Sequence, residues 1–349
     1  MTSKRPRKNR SGERPPSVPA AVRRAANEAA VQTFFAASDP AWRWVLILGL
    51  RDLRANASRL GSLAAKASPQ GSGWSEDRYV YGPLVHGLTA AAVNECAQHC
   101  EDLFAVLMFL REQLEFAKRM LSYKAGTVTG FGGRLHALDD DAIRRLFIVP
   151  DAASVADGLA GSEDPTAGLV VFNQAVARLA ERVRLVADWY AIYQDFHIQY
   201  KHGLKLAMRP YGDPTPEAID ERRATVDGAL LAFTSEPLSA MVKGPAQQQG
   251  MIFPNLVPEV RAHLASLVED RAVLRYKMSG PPVNLDEVVE ISGTVVQLLR
   301  IAAANRLAIA NGLREGAIYC FDLPGEQRYE TVTVALELGT APTLDEFRN

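Results

Sequence analysis

Cysteine is scarce in this chain, and no apolar run is long enough to cross a membrane. The 349 residues include three cysteines, Cys96, Cys100 and Cys320, which are too few for a disulfide framework and lack the spacing of a zinc site. The longest apolar stretches, 42–50 and 103–110, fall well short of the roughly 20 residues that span a bilayer. No apolar segment follows the basic N-terminal residues, so the sequence predicts no secretory signal. These absences predict a soluble, cytoplasmic protein without a membrane partner.

Familiar enzyme motifs are also missing. The sequence contains no G-x-S-x-G elbow, no H-E-x-x-H zinc motif and no Walker A loop. The glycine-rich stretch 126–133 has neither the GK[ST] ending of a phosphate loop nor the spacing of a dinucleotide fingerprint. We therefore expect neither a serine triad nor nucleoside triphosphate chemistry, and we predict no cofactor and no bound metal.

Charge is unevenly distributed along the chain. The formal net charge is −1, yet residues 1–24 contain eight Lys or Arg against one acid, Glu13, so this segment carries +7 and the remainder −8. The segment also holds four prolines and almost no large apolar residue, which predicts a disordered basic arm over 1–24. Such an arm either keeps the protein soluble or adds nonspecific affinity for phosphates.

Apolar residues at helical spacing dominate the first two thirds of the chain. Long helices are predicted from Pro83 to Met120 and over 167–208, with a short helix over 139–147 between them. The later sequence mixes strand patterns at 229–234 and 272–278 with a helix over 285–313 and a β-hairpin at 317–336. The pattern predicts a mainly α protein: a helical bundle over 25–210, a smaller α+β extension over 211–340 that includes the hairpin, and a tail over 341–349.

The run Phe-His-Ile-Gln-Tyr-Lys-His-Gly at 196–203, near the end of the helix predicted over 167–208, breaks the local pattern. It places two of the six histidines together, and Gly203 costs about 1 kcal/mol relative to Ala inside a helix. Helical spacing puts one polar stripe on a single face: Asp195, Gln199, His202, Lys205 and Arg209. Cations on such a stripe hold phosphate and a histidine acts as general base, or the stripe is a hydrogen-bonded structural face.

The Tyr-Lys-His-Gly string at 200–203, after an earlier helix rich in alanine and carboxylates at 90–102, resembles the HEPN-like helical bundles of prokaryotes. The resemblance implies a bundle of four or five helices. It also implies a metal-independent ribonuclease active in toxin or antiviral defence systems, in which two protomers often build one site. Other members of that superfamily are inactive dimerisation or RNA-binding modules. The partners implied are RNA, a second copy of the chain, and a partner protein.

The resemblance assigns roles only where residues match. His202 corresponds to the motif histidine, whereas His197 stands where many active members have arginine and Ile198 where many have a polar residue. The resemblance predicts His202 and His197 as catalytic, with Lys201, Lys205 and Arg209 holding phosphate. The supporting residues expected around them are Tyr200, Gln199, Asp195, Glu95 and His99.

Two other interpretations remain open. In the first, the protein is a catalytically inactive interaction module, and the motif locks helices together. In the second, Glu95, His99 and Asp102, which share a helix face at i, i+4 and i+7, bind a metal in the bundle core. The spacing differs from the Glu-x-x-His repeat of ferritin-like sites. A polar network in which His99 or Glu95 orients His202 or Tyr200 is the alternative for these residues.

Overall fold

The computed structural model describes residues 18–67, 81–201, 206–208, 230–237, 272–278 and 283–310, which are mainly helical. The helices of the described residues are α1 (Ala20–Ala37), α2 (Ala41–Ala55), α3 (Ala57–Ala67), α4 (Tyr81–Phe109), α5 (Phe116–Ser122), α6 (Ala125–Leu135), α7 (Asp140–Leu146), α8 (Ala152–Leu159), α9 (Pro165–Lys201) and α10 (Leu285–Ala310). Within these residues, no helix is both long and apolar enough to span a bilayer.

Short polar side chains start several of the helices. The Asp139 carboxylate accepts a hydrogen bond from the backbone N–H of Ala142 at 2.7 Å, and Asn284 accepts one from Asp286 at 2.9 Å. These N-caps satisfy backbone donors that have no partner in the first turn, and they confirm the helices predicted over 139–147 and from 285. Asp151 caps α8 in the same way, a helix that the sequence analysis did not predict.

Helix α4 lies at the centre of the bundle. It packs against α2, α9 and α10, and α10 in turn packs against α2 and α9. The buried side chains of α4 include Val93, Leu103, Phe104 and Leu107. Cys96 and Cys100 are buried there as free thiols. A helix surrounded on several sides carries apolar residues around most of its circumference, and this burial makes α4 the scaffold on which polar residues are fixed.

The predicted fold class is wrong in its second part, the separate α+β extension. Helix α10, which the sequence analysis placed there, is part of the bundle core. Its buried residues recur on almost every side, from Leu285 through Ile291 and Leu298 to Ala302, and a helix of that kind is stable only when other helices cover it. The predicted hairpin at 317–336 lies outside the described residues and is not shown.

The sheet of the described residues also crosses the predicted boundary. Its strands are β1 (Leu206–Met208), β2 (Leu230–Pro237) and β3 (Ala272–Met278), in the order β1-β2-β3, and both pairs are antiparallel. Strand β1 was predicted as the end of the helix over 167–208, so that prediction is wrong at its last turn. The other long helix ends at Phe109 rather than Met120, because the chain turns before α5 begins.

Helix α1 is attached to the bundle through its second half, by apolar as well as polar contacts. Glu28 makes a two-pronged ion pair with Arg306 of α10, at 2.5 and 2.7 Å, and the Arg306 side chain is fully buried. Asn27 donates to the carbonyl of Glu112 and accepts from the backbone N–H of Phe116. The first seven residues of α1, 20–26, are all exposed. The predicted disordered arm therefore ends too late, since its last residues are helical.

Candidate functional site

Helix α4 presents polar side chains on two neighbouring faces. Asn94 and Glu101, seven residues apart, face α9, while Glu95 and Asp102, one position further along, bind a side chain of α2. Seven residues are close to two helical turns, so each pair lies on one face. We call the first group the Glu101 cluster and the second the Arg43 cluster.

The Glu101 cluster ties α4 to α9 through a nearly buried carboxylate. The Tyr190 hydroxyl donates to Oε1 of Glu101 at 2.8 Å, and Lys201 Nζ donates to Oε2 at 2.8 Å. The Thr129 hydroxyl of α6 lies 3.4 Å from that of Tyr190 and extends the network to a third helix. Both carboxylate oxygens are thus engaged by side chains of α9.

His197 completes this cluster and is fully buried. Its Nδ1 lies 2.8 Å from Oδ1 of Asn94, and Nε2 lies 3.4 Å from Oε1 of Glu101. The Asn94 contact requires a proton on Nδ1, since an amide oxygen only accepts. Nε2 makes no hydrogen bond within the described residues, so its approach to Glu101 is a charge contact when the ring is protonated. The ring is held by its Nδ1 contact and is shielded from solvent.

The partners of Glu101 determine its protonation. Burial alone would raise the pKa of this carboxyl, but His197, Lys201 and Tyr190 stabilise the charged form and lower its pKa to about 2. Burial and the neighbouring Glu101 charge raise the pKa of Tyr190. At neutral pH the cluster is therefore an ionised carboxylate with its hydrogen-bonding capacity occupied, which favours a structural lock over a general base.

The Arg43 cluster is more open. Arg43 of α2 donates from Nη1 to Glu95 at 2.6 Å and from Nε to Asp102 at 2.7 Å, and its side chain is 16% exposed. Burial raises the pKa of Asp102, and the Arg43 charge opposes that rise. The guanidinium also lies 4.2 Å from the ring centre of Trp42, a cation–π contact.

His99 of α4 faces α10. Its Nδ1 is 2.8 Å from the Ser292 hydroxyl, and the side chain is buried. Burial and the nearby Arg43 charge lower the pKa of His99 to about 4. The ring is therefore neutral at physiological pH and connects α4 to α10 by a hydrogen bond.

The predicted metal set does not converge. Arg43 occupies the carboxylates of Glu95 and Asp102, and His99 turns toward Ser292. In the ranges that the structure describes, no three His, Cys, Asp or Glu side chains are placed to hold a metal ion. The metal-binding interpretation fails because an arginine, which the sequence analysis did not consider as a partner, already neutralises both acids.

The predicted catalytic, phosphate-binding and supporting residues separate into four groups. His197 and Lys201 meet, but on Glu101 and not around a cleft. Tyr200 is half-buried with its ring 5.9 Å from that of Phe196, and Asp195 is exposed. The side chains of Gln199, His202, Lys205 and Arg209 lie outside the described residues. Glu95 and His99 contact α2 and α10, not the His197 ring.

Sequence reasoning missed the residue on which the site is built. Glu101 and Asp102 directly precede the apolar run 103–110, and an acid beside such a run is stable in the interior only if it is paired. Asn94, one polar position seven residues earlier, gave the same signal. On α9, His197 and Lys201 lie four residues apart and therefore on one helix face. This spacing indicated that both could contact the same acid on another helix.

The comparisons with known proteins found no counterpart. No protein-family model, no curated protein and no solved structure matches this chain.

Proposed function

We propose that this protein is a catalytically inactive, HEPN-like interaction module that forms homodimers. The observation that carries the proposal is the internal pairing of the motif helix. Of the residues expected to act on RNA, His197 is fully buried against Asn94, and Lys201 is held by Glu101. A buried imidazole with its Nδ1 proton engaged is not available to a substrate hydroxyl.

Helix α2 supplies the dimer surface in this proposal. Trp42, Val45 and Leu46 are 52%, 59% and 40% exposed, and with Gly49 they follow the i, i+3, i+4, i+7 spacing of one helix face. A Cβ added at Gly49 would meet nothing within 4 Å, so another helix has room to approach there. Exposed apolar residues grouped in this way are typical of interaction sites.

The tryptophan on this surface is held in place. Arg43 stacks on the Trp42 ring and is itself fixed by Glu95 and Asp102. Holding an aromatic ring before binding reduces the entropy lost on association, and Trp and Arg are enriched among residues that dominate interface energies. The Arg43 cluster thus supports an exposed anchor, and a second copy offers the same apolar stripe in return.

Light scattering coupled to gel filtration tests the dimer. We expect the wild type to be dimeric and Val45→Glu to be monomeric, because a charge in the apolar stripe loses its water on dimerisation. Leu121→Glu is the matched control, since Leu121 is 89% exposed and lies on α5. A monomeric wild type, or two variants with the same mass, would contradict the proposed interface.

Cleavage of a mixed RNA pool tests the absence of activity. The wild type and His202→Ala are incubated with the pool, with and without EDTA. We expect no difference between them and no cleavage at high protein concentration. Cleavage that survives EDTA and disappears in His202→Ala would instead establish the metal-independent ribonuclease that the family resemblance implies.

A further inference from the structure

We infer that an exposed seam of α9 is the docking surface for a basic amphipathic helix of another protein. The α9 seam consists of exposed residues at alternating intervals of four and three: Glu181, Leu185, Asp188, Ile192 and Asp195. This spacing places them along one side of the helix, over about 21 Å. The inference goes beyond the proposed dimer, because it assigns a second partner to a helix other than α2.

The first step is the apolar part of the α9 seam. Leu185 and Ile192, two helical turns apart, are 39% and 44% exposed, and Ile198 near the end of α9 is 38% exposed. The other side of the same stretch is buried in the core at Tyr190 and Tyr193. Aliphatic side chains grouped on the open side of a core helix are typical of an interaction site.

The second step is the unpaired charge of the α9 seam. Glu181, Asp188 and Asp195 are exposed, and none of them has a hydrogen-bond or ion-pair partner among the residues that the structure describes. Arg178, three residues before Glu181, makes no ion pair with it. The three acids follow one another every seven residues, so their negative charges lie in line beside the two aliphatic side chains.

The third step is that the neighbouring cations of α9 contact other helices. Arg184 pairs with Asp140 of α7 at 2.6 Å, and Arg182 lies 4.0 Å from Glu290 of α10. Between Arg184 and Lys201 the sequence of α9 contains no Lys or Arg. The acids of the α9 seam are therefore available to cations of a partner.

A helix is the form of partner that fits this surface. Residues that alternate at intervals of three and four correspond to the a and d positions through which two helices pack side by side. In the α9 seam Leu185 and Ile192 take the a positions, and the three acids take the d positions. A partner helix with aliphatic residues opposite the first set and Lys or Arg opposite the second complements both its shape and its charge.

The same charges oppose other occupants. Pairing of two α9 seams would bring the acids of both copies into one interface without a cation to neutralise them, and unpaired charges are costly to remove from water. Nucleic acids and anionic lipid surfaces are repelled by the acids. Charged positions in a helix seam discriminate against wrong partners in this way.

Fluorescence anisotropy of a labelled synthetic peptide tests the inference on the full chain. The seam peptide is about three heptads long, with Leu at each a position and Lys at each d position. The rearranged peptide contains the same residues in an order that places Leu and Lys on no common face. We expect the wild type to bind the seam peptide and to bind the rearranged peptide more weakly.

The charged part of the α9 seam is tested with Asp188→Asn/Asp195→Asn. The matched control is Asp157→Asn/Glu163→Gln, which removes the same charge from exposed positions outside α9. We expect the seam variant to bind the seam peptide roughly fivefold more weakly at low salt. The difference from the wild type should shrink at high salt, because salt screens the charge contacts. The control should bind like the wild type.

The apolar part is tested with Ile192→Ser, and Leu121→Ser is its control because Leu121 is 89% exposed on α5. We expect Ile192→Ser to weaken binding of the seam peptide roughly fivefold, since less aliphatic surface is removed from water. This loss should be the same at low and at high salt, because apolar contacts are not screened. Thermal denaturation followed by circular dichroism verifies that each variant is folded.

Four results would overturn the inference. The wild type might show no binding of the seam peptide, equal binding of the two peptides, or equal weakening in the seam and control variants. The fourth is a lower mass of Asp188→Asn/Asp195→Asn in light scattering, which would mean that a second copy covers the α9 seam. The dimer is measured without peptide, so its failure and the failure of this inference are distinguishable.

Discussion

The Glu101 cluster and the Arg43 cluster occupy adjacent faces of α4 and differ mainly in their access to water. Glu101 is 6% exposed and has its partners on α9, whereas Glu95 and Asp102 are 24% and 34% exposed and share one arginine. Charge pairs cost more to break as water is excluded, because the remaining partner keeps its charge in a low-dielectric environment. The buried cluster therefore holds α4 and α9 together, whereas the more exposed Arg43 cluster positions Trp42 on the surface of α2.

Neutralising one acid in each cluster should give the largest contrast. We expect Glu101→Gln to lower the free energy of unfolding by about 3 to 4 kcal/mol, because Lys201 and the Tyr190 hydroxyl lose a charged partner. Glu95→Gln should cost about 1 kcal/mol or less, because water replaces part of the interaction. Urea denaturation at neutral pH measures both. Equal losses would show that the difference in burial does not make the Glu101 cluster contribute more to stability than the Arg43 cluster.

Acid should weaken the two regions in different pH ranges. The pKa of His99 is lowered to about 4, so its contribution is present above pH 6.5 and is lost as the pH falls from about 6.5 to 4. The pKa of Glu101 is lowered to about 2, so its contribution is lost as the pH falls from about 4.5 to 2. Each loss is on the order of 3 kcal/mol, since one pKa unit corresponds to about 1.4 kcal/mol.

The loss between pH 6.5 and 4 is tested by measuring the free energy of unfolding of the wild type, His99→Gln and Glu101→Gln at pH 7, 5.5 and 4. The pH dependence between 6.5 and 4 should be flatter in His99→Gln, and largely retained in Glu101→Gln. If the unfolding free energy of His99→Gln falls with pH as steeply as that of the wild type, another group titrates in that range.

Removing one neutral donor of the Glu101 cluster should have a smaller effect than neutralising its acid. Tyr190→Phe deletes the hydroxyl that binds Glu101 at 2.8 Å and keeps the ring that packs edge-on against Phe104. We expect a loss of about 1.5 to 3 kcal/mol, the range for hydrogen bonds that involve a charged group. Thermal denaturation beside Tyr123→Phe, whose side chain is only partly buried, provides the reference. If Tyr190→Phe loses no more stability than Tyr123→Phe, the hydrogen bond to Glu101 contributes little to stability.

Local signals in the sequence predicted the parts of the fold that depend on neighbouring residues. Asp139 and Asn284 marked helix starts because a cap acts on the backbone two or three positions away. The end of α9 was misplaced because the polar stripe from Asp195 to Arg209 follows helical spacing, whereas the alternation of Leu204, Leu206 and Met208 is the period of a strand. Gly203 carried the opposing signal, since glycine favours helix ends.

The site was less predictable, because its pairs join distant parts of the chain. His197 and Lys201 were identified as chemically important, but their partner Glu101 lies about 100 residues earlier. The same is true of Arg43, which binds acids 52 and 59 residues away. Periodicity shows which side chains share a helix face. It does not show which helix that face meets, and this determined whether His197 was exposed or buried.

The Glu28–Arg306 pair also has a consequence for the order of events during synthesis. Its two residues are 278 positions apart, and at about 5 to 20 residues per second the ribosome needs tens of seconds to make that stretch. Helix α1 therefore has no docking partner on α10 while most of the chain is being made. During that time α1 can dock only on earlier parts of the chain, through the Asn27 contacts with Glu112 and Phe116.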